Sequence, residues 1–192
     1  MKGRFKSELF QKDEKIFSSD WISNRIHEDF SRLLAQILHD LMGKADKVSR
    51  LANHGFYMAV GPGGARENPQ ESFKKEIENM EKLASSPQKE GARLERDVFR
   101  GKKETLYTVE NRRYYAIQLE ARDIQLRTNE IVIEATLAEK NPRTNGLKVR
   151  EFGLFTKYPS SSENIYLLNY GQHSEIRKDD DLTLSRKIEF IF

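Results

Sequence analysis

Leu182-Thr183-Leu184-Ser185-Arg186-Lys187-Ile188-Glu189-Phe190-Ile191-Phe192 decides how the chain is read. Leu182, Leu184, Ile188, Phe190 and Phe192 fall on one side of the alternation, with Arg186 among them. A period of two puts alternate side chains on opposite faces of a sheet, so this is a half-buried antiparallel strand. The same pattern recurs upstream. Glu130 to Leu137 carries Ile131, Ile133, Ala135 and Leu137 on one face, and Tyr114 to Leu119, Leu147 to Phe155 and Ile165 to Tyr170 are further strands. Gly153 interrupts one of them and marks a bulge or a close backbone approach. Asn141-Pro142-Arg143-Thr144-Asn145-Gly146 and Pro159-Ser160-Ser161-Ser162 are rich in breakers and form turns. Residues 113–192 therefore read as all-β.

The half before it reads differently. Phe56 to Val60 is a compact apolar run entering Gly61-Pro62-Gly63-Gly64, a buried strand followed by a glycine-rich loop. Residues 69–84 form a helix with Asn68 as cap, Pro69 in the first position, Glu71 three after the cap, and Phe73, Ile77 and Met80 on one face. Residues 20–42 carry Ile22, Ile26, Phe30, Leu33, Leu34, Ile37, Leu38, Leu41 and Met42 in steps that trace one helical face, with Gly43 as a stop. That stripe packs either on its own domain or on another subunit; Ile26, Phe30, Leu34, Ile37 and Leu41 are the candidate interface. Residues 1–19 read as an extended arm. The stretch 85–112 is sparse in apolar residues and reads as a basic excursion with a strand near Leu106 to Val109. The expected fold class is α+β: an N-terminal amphipathic helix arm, a second helix, and a C-terminal antiparallel β-sheet or β-sandwich. The expected division is 1–52 for the arm and long helix and 53–192 for the α+β domain.

Composition narrows the chemistry. In 192 residues there is no cysteine, which removes disulfides, thiolate metal sites and cysteine nucleophiles. Hydrophobic residues are 37% and charged residues 33%, so the core is thin and the charged surface large. The formal net charge of +3 comes from 33 basic and 30 acidic residues, close to balance and suited to surfaces laced with ion pairs. No apolar run approaches the ~18 residues of a membrane helix, and Met1 to Phe10 lacks the apolar stretch of a secretory signal.

The local motifs carry little catalysis. Gly61-Pro62-Gly63-Gly64 is followed by Ala65-Arg66-Glu67 rather than the Lys-Ser/Thr of a phosphate loop, so it reads as a turn. The fourth position after His27 is Ser31, not the second histidine of a zinc helix. His39 sits beside the apolar stripe, and His173 is assigned to a loop with Gln172 and Ser174. Asp179-Asp180-Asp181 lacks the glycine and glutamate of a calcium loop and reads as a solvated turn. No catalytic, cofactor or metal residues are assigned, and the chain is read as a non-enzyme. Lys89, Arg93, Arg96, Arg100, Lys102, Lys103, Arg112 and Arg113, interleaved with acids, leave one alternative: contact with nucleic acid through its phosphates.

Arg150-Glu151-Phe152-Gly153-Leu154-Phe155 resembles the Glu-(Ile/Val/Phe)-Gly-Leu-Phe signature of the N-terminal domains of bacteriophage tail-fibre and tail-collar proteins. The surrounding order is similar too: Phe56 to Gly61 resembles the family's early strand running into a glycine loop, the helix at 69–84 falls where the family has one, and Asn145-Gly146 precedes the signature. Lys178 to Leu184 resembles its closing loop and strand. The resemblance spans 55–192, with Glu151, Phe152, Gly153, Leu154 and Phe155 as structural residues. It implies a virion protein assembled in the host cytoplasm, with no cofactor and no membrane. Its implied partners are copies of itself in a symmetric homo-oligomer and other tail, baseplate or fibre proteins; nucleic acid is not among the leading ones. The chain stops where a fibre would continue into a shaft, so the implied role is a tail, baseplate or collar adaptor.

Overall fold

The computed structural model describes residues 2–30, 55–64, 67–83, 91–157 and 165–191. The elements in chain order are β1 (Lys2–Gln11), β2 (Glu14–Ser18), β3 (Ile22–Ile26), β4 (Phe56–Gly61), α1 (Pro69–Leu83), β5 (Ala92–Phe99), β6 (Lys102–Val109), β7 (Arg112–Gln118), β8 (Ile124–Arg127), β9 (Glu130–Leu137), β10 (Leu147–Lys157), β11 (Ile165–Lys178) and β12 (Leu182–Ile191). Strands hold 64% of the described residues, arranged in two antiparallel sheets. This overturns the α+β expectation with its N-terminal helical arm.

Three segments account for the correction. The expected arm is the hairpin β1–β2, closed by Lys12 and Asp13 at φ 47° and 65°, a two-residue turn whose twist suits paired strands. The first part of the expected helix 20–42 is β3; residues 28–30 are helical, and 31–42 lie outside the described residues. Ile22 and Ile26 are four apart, a spacing that fits one face of a helix and one face of a strand alike. Pairing with β1 and β11 settles the choice. The expected basic excursion contains the β5–β6 hairpin, turned at Arg100-Gly101, and leads into β7 through Glu110-Asn111.

The strand order is β5-β6-β7-β4-β10-β11-β3-β1-β12-β9-β8, with β2 also on β1. β3 belongs to both sheets: Ile22–Asn24 pair with β1, and Arg25–Ile26 pair with β11. The sheets pack face to face. Between them lie Phe5, Met58, Val60, Tyr115, Ile117, Ile133, Leu137, Val149, Phe152, Leu154, Leu168, Leu184, Ile188 and Phe190. α1 covers the outer face of the β4–β7–β10–β11 sheet. There Phe73, Ile77 and Met80 meet Ala59, Tyr107, Tyr114, Phe155, Leu167 and Tyr170. The molecule is three layers, helix on sheet on sheet.

The fit of α1 depends on Gly153. A Cβ there would lie 2.7 Å from Phe73 Cε1 and 2.8 Å from Leu167 Cδ1. Both contacts are below normal approach, so the helix rests on bare backbone. Gly153→Ala is expected to cost about 1–3 kcal/mol. Urea unfolding would measure it, with partial recovery when Phe73 is shortened to leucine.

Candidate functional site

Besides the buried set in which Asn141 Nδ2 donates to Glu104 and to the Tyr115 hydroxyl, three polar clusters lie inside this apolar frame, each joining distant parts of the chain. The first is built on the Glu151–Phe155 strand. Alternation in β10 sends Phe152 and Leu154 between the sheets and Glu151, Gly153 and Phe155 toward α1, so Leu154 and Phe155 fill two different cores. Phe155 stacks on Tyr57 at 5.2 Å. Glu151 is fully buried and accepts the Gly63 N–H at 3.1 Å and the Tyr170 O–H at 3.0 Å. Glu151 is directly opposite Gly61 in the ladder, where a Cβ would lie 2.9 Å from the carboxylate. The glycine loop therefore turns an N–H inward onto a carboxylate of its own chain, where a phosphate cradle would hold a ligand's anion. Arg112 Nη2 donates to the Gly63 carbonyl at 3.2 Å and holds the loop from outside.

The second cluster ties α1 to the end of β3. The His27 N–H donates to the Leu168 carbonyl, and Nδ1 accepts the Asp29 N–H at 3.1 Å. Nε2 must then carry the ring proton, which it donates to Glu71 at 3.0 Å. Asp29 Oδ2 accepts from Lys74 Nζ at 2.5 Å and from the Leu167 N–H at 3.2 Å. A catalytic dyad needs the carboxylate to receive the Nδ1 proton and Nε2 to face a nucleophile; here Nδ1 is an acceptor and Nε2 faces a carboxylate. The cluster works as a clasp. Ile26 and Phe30 flank it and pack on the inner core, Phe30 stacked on Phe190 at 5.5 Å. Leu34, Ile37 and Leu41 lie outside the described residues.

The third cluster is Arg186. It occupies a core-facing position of β12 between cross-strand neighbours Ser7 and Ala135, both small enough to leave room. Only 1% of it is exposed. Its guanidinium lies over the Phe152 ring at 4.4 Å and the Phe5 ring at 5.6 Å. Nη1 donates to Ser7 Oγ, and Nη2 donates to His173 Nε2 at 2.7 Å. Nε has no hydrogen-bond partner among the described residues. Burial pushes Arg186 down to about 9, so it keeps its charge at neutral pH. His173, which stands in β11 and not in a loop, donates Nδ1–H to the Ser174 carbonyl at 2.6 Å. Burial first, and the Arg186 charge second, push it down to about 4. The only signal of this cluster in the sequence is a cation at a core-facing position of an alternating strand.

The remaining predicted features are structural. Asp179-Asp180-Asp181 makes the β11–β12 turn; Leu182 N–H bonds back to the Asp179 carbonyl. Lys178 is buried there with Nζ on the Asp179 carbonyl at 2.8 Å; burial lowers its pKa against the pull of the three aspartates and Glu139. Among the described residues no group of His, Asp and Glu side chains is placed to hold a metal ion, and no helix is long and apolar enough to cross a membrane.

What stays open to solvent is at the sheet edges. Every residue of β2 is exposed, with Ile16 at 52% and Phe17 at 46%, next to Ile22 at 42%. These, with edge strand β5, are the candidate contact surfaces. Comparison with family models, with curated proteins and with solved structures gives no match.

Two outcomes test the clusters. Glu151→Ala leaves the Gly63 N–H and the Tyr170 O–H without their acceptor and is expected to cost about 2–4 kcal/mol, read by chemical unfolding. For His173 the folded state resists protonation. Its share of stability is complete above its unfolded pKa of 6.5 and is lost as pH falls toward about 4. Melting temperature should fall across that window by the equivalent of at most roughly 3.5 kcal/mol. His173→Gln keeps an acceptor for Arg186 without a titrating ring, so it should flatten the slope. Glu8, held near 2 by Lys15 and Lys6, adds its own loss only below its ordinary 4.5.

Proposed function

We propose that the chain is a structural virion protein of a phage or phage-like particle, a tail, baseplate or collar subunit that connects a fibre to the particle by protein–protein assembly. One observation carries the reading. Phe56–Gly61 and Glu151–Phe155, two of the stretches that carry the tail-fibre and tail-collar resemblance, are neighbouring strands. They are locked together by Glu151 on the glycine loop and covered by the helix that follows the loop. The residues of the resemblance thus form one packed unit, and their polar atoms are spent on holding it. The exposed apolar positions on β2 and β3 supply surface for contacts with other tail proteins.

The nucleic-acid alternative draws less support. Lys102 bonds both oxygens of Asp123, Arg112 and Arg113 bond backbone carbonyls, Arg93 pairs with Glu95, and Arg100 with Glu139. Phosphate binding needs cations turned outward in a row.

The test is protein mass spectrometry of tail particles purified from the source strain. The chain should be present at a whole-number ratio to the tail tube protein, and particles made without it should lack fibres. Its absence from purified particles, together with DNA binding that falls steeply with salt, would replace the reading with the alternative.

A further inference from the structure

We infer that the outer edge of β5 pairs with the same edge of a second copy, antiparallel and centred on Leu94, to give a two-fold dimer. Among the described residues no strand pairs with that edge. The two-residue turn at Arg100-Gly101 makes Phe99 and Lys102 a hydrogen-bonded pair. Phe99, Asp97, Glu95 and Arg93 therefore direct their backbone groups to β6, while Val98, Arg96, Leu94 and Ala92 direct theirs outward. The outward N–H of Val98 is already held by Asp97 Oδ1 at 2.7 Å, which ends the pairable stretch before that residue.

A two-fold axis through an antiparallel pair sets one residue against its own copy. Centring on Arg93, Glu95, Arg96 or Asp97 would oppose like charges, which destabilises a pair. Centring on Ala92 would leave most of the strand unpaired. Leu94 is the centre that remains. In that register Leu94 meets Leu94, Arg93 meets Glu95 of the second copy twice by symmetry, and Ala92 faces Arg96. Because Arg93 and Glu95 are then in the closer, non-hydrogen-bonded positions, their opposite charges select the register.

The faces agree. Leu94 is opposite Tyr107 in the ladder, and Ala92, Leu94 and Val109 are half-buried against the core beneath α1. That core runs out to the β5 edge, and the second copy continues it across the axis. This gives the assembly reading a self-association site. It rests on that reading for its setting and not for its geometry.

Sedimentation velocity of the full chain over a concentration series tests it. The expected species is a dimer in reversible exchange with monomer. Glu95→Arg should weaken association about tenfold or more by setting Arg93 against arginine. The double variant Arg93→Glu with Glu95→Arg should restore it, because the swapped edge is again self-complementary. Leu94→Pro removes an outward N–H and no β5–β6 bond, and should give a monomer with the same strand content by circular dichroism. A monomer at every concentration, a trimer, or a dimer untouched by Glu95→Arg and Leu94→Pro would overturn the inference. A dimer in a protein missing from tail particles would overturn the tail role instead.

Discussion

The two sheets meet across a charge. Arg186 stands where an apolar side chain is expected, and among the described residues no carboxylate is paired with it. A buried cation is costly unless dipoles and π faces take the place of water. Here the faces are Phe5 and Phe152, and the dipoles are the Ser7 hydroxyl and the His173 ring. Much of the interior follows from that requirement. Ala135 and Ser7 are small beside the arginine. Gly171 has no Cβ, because one would lie 2.5 Å from the Phe152 ring. Phe152 meets Phe5 edge-on at 4.6 Å, so one ring touches the guanidinium, the opposite sheet and the bare backbone at once.

The same residues explain what the sequence conceals. Most strands from Tyr114 onward alternate openly and are legible to within a few residues, but the short β8 and the charged second half of β11, from Gly171 to Lys178, are not. β1 is built to the same rule, with Phe5, Ser7 and Leu9 facing inward. Its middle position is polar because it receives Arg186, so the alternation of two apolar residues around a serine resembles an unstructured arm. β5 and the first half of β6 are hidden for another reason, while the second half, Leu106 to Val109, is where a strand is expected. Their turns are Arg100-Gly101 and Glu110-Asn111, where only one residue in each has an ordinary preference for positive φ, and their outward faces are charged. α1 is legible because Asn68, Pro69 and the Phe73–Ile77–Met80 face all agree. The stripe starting at Ile22 is misleading because a spacing of four serves helix and strand equally.

The polar clusters were legible only as fragments. Glu151 is visible as part of a string and Gly63 as part of a loop, but their contact spans 88 positions and belongs to the sheet. His27 looks like a lone histidine until α1 brings Glu71 to it and Lys74 to the neighbouring Asp29. Each cluster spends its hydrogen bonds on joining elements far apart in sequence. This pattern specifies one arrangement of layers and leaves the edges as the surfaces open to a partner.

β1 and β12 are paired along their whole length, with Lys2 beside Ile191. A pull applied to those two residues in opposite directions would open the ladder like a zipper, breaking one pair of bonds at a time rather than shearing all of them together. Tension applied at that end of the ladder would therefore meet little resistance. A pull along the strands that shears β1 against β12 would load every bond of that ladder together. The architecture is mechanically anisotropic: the same ladder is weak to one direction of pull and strong to another.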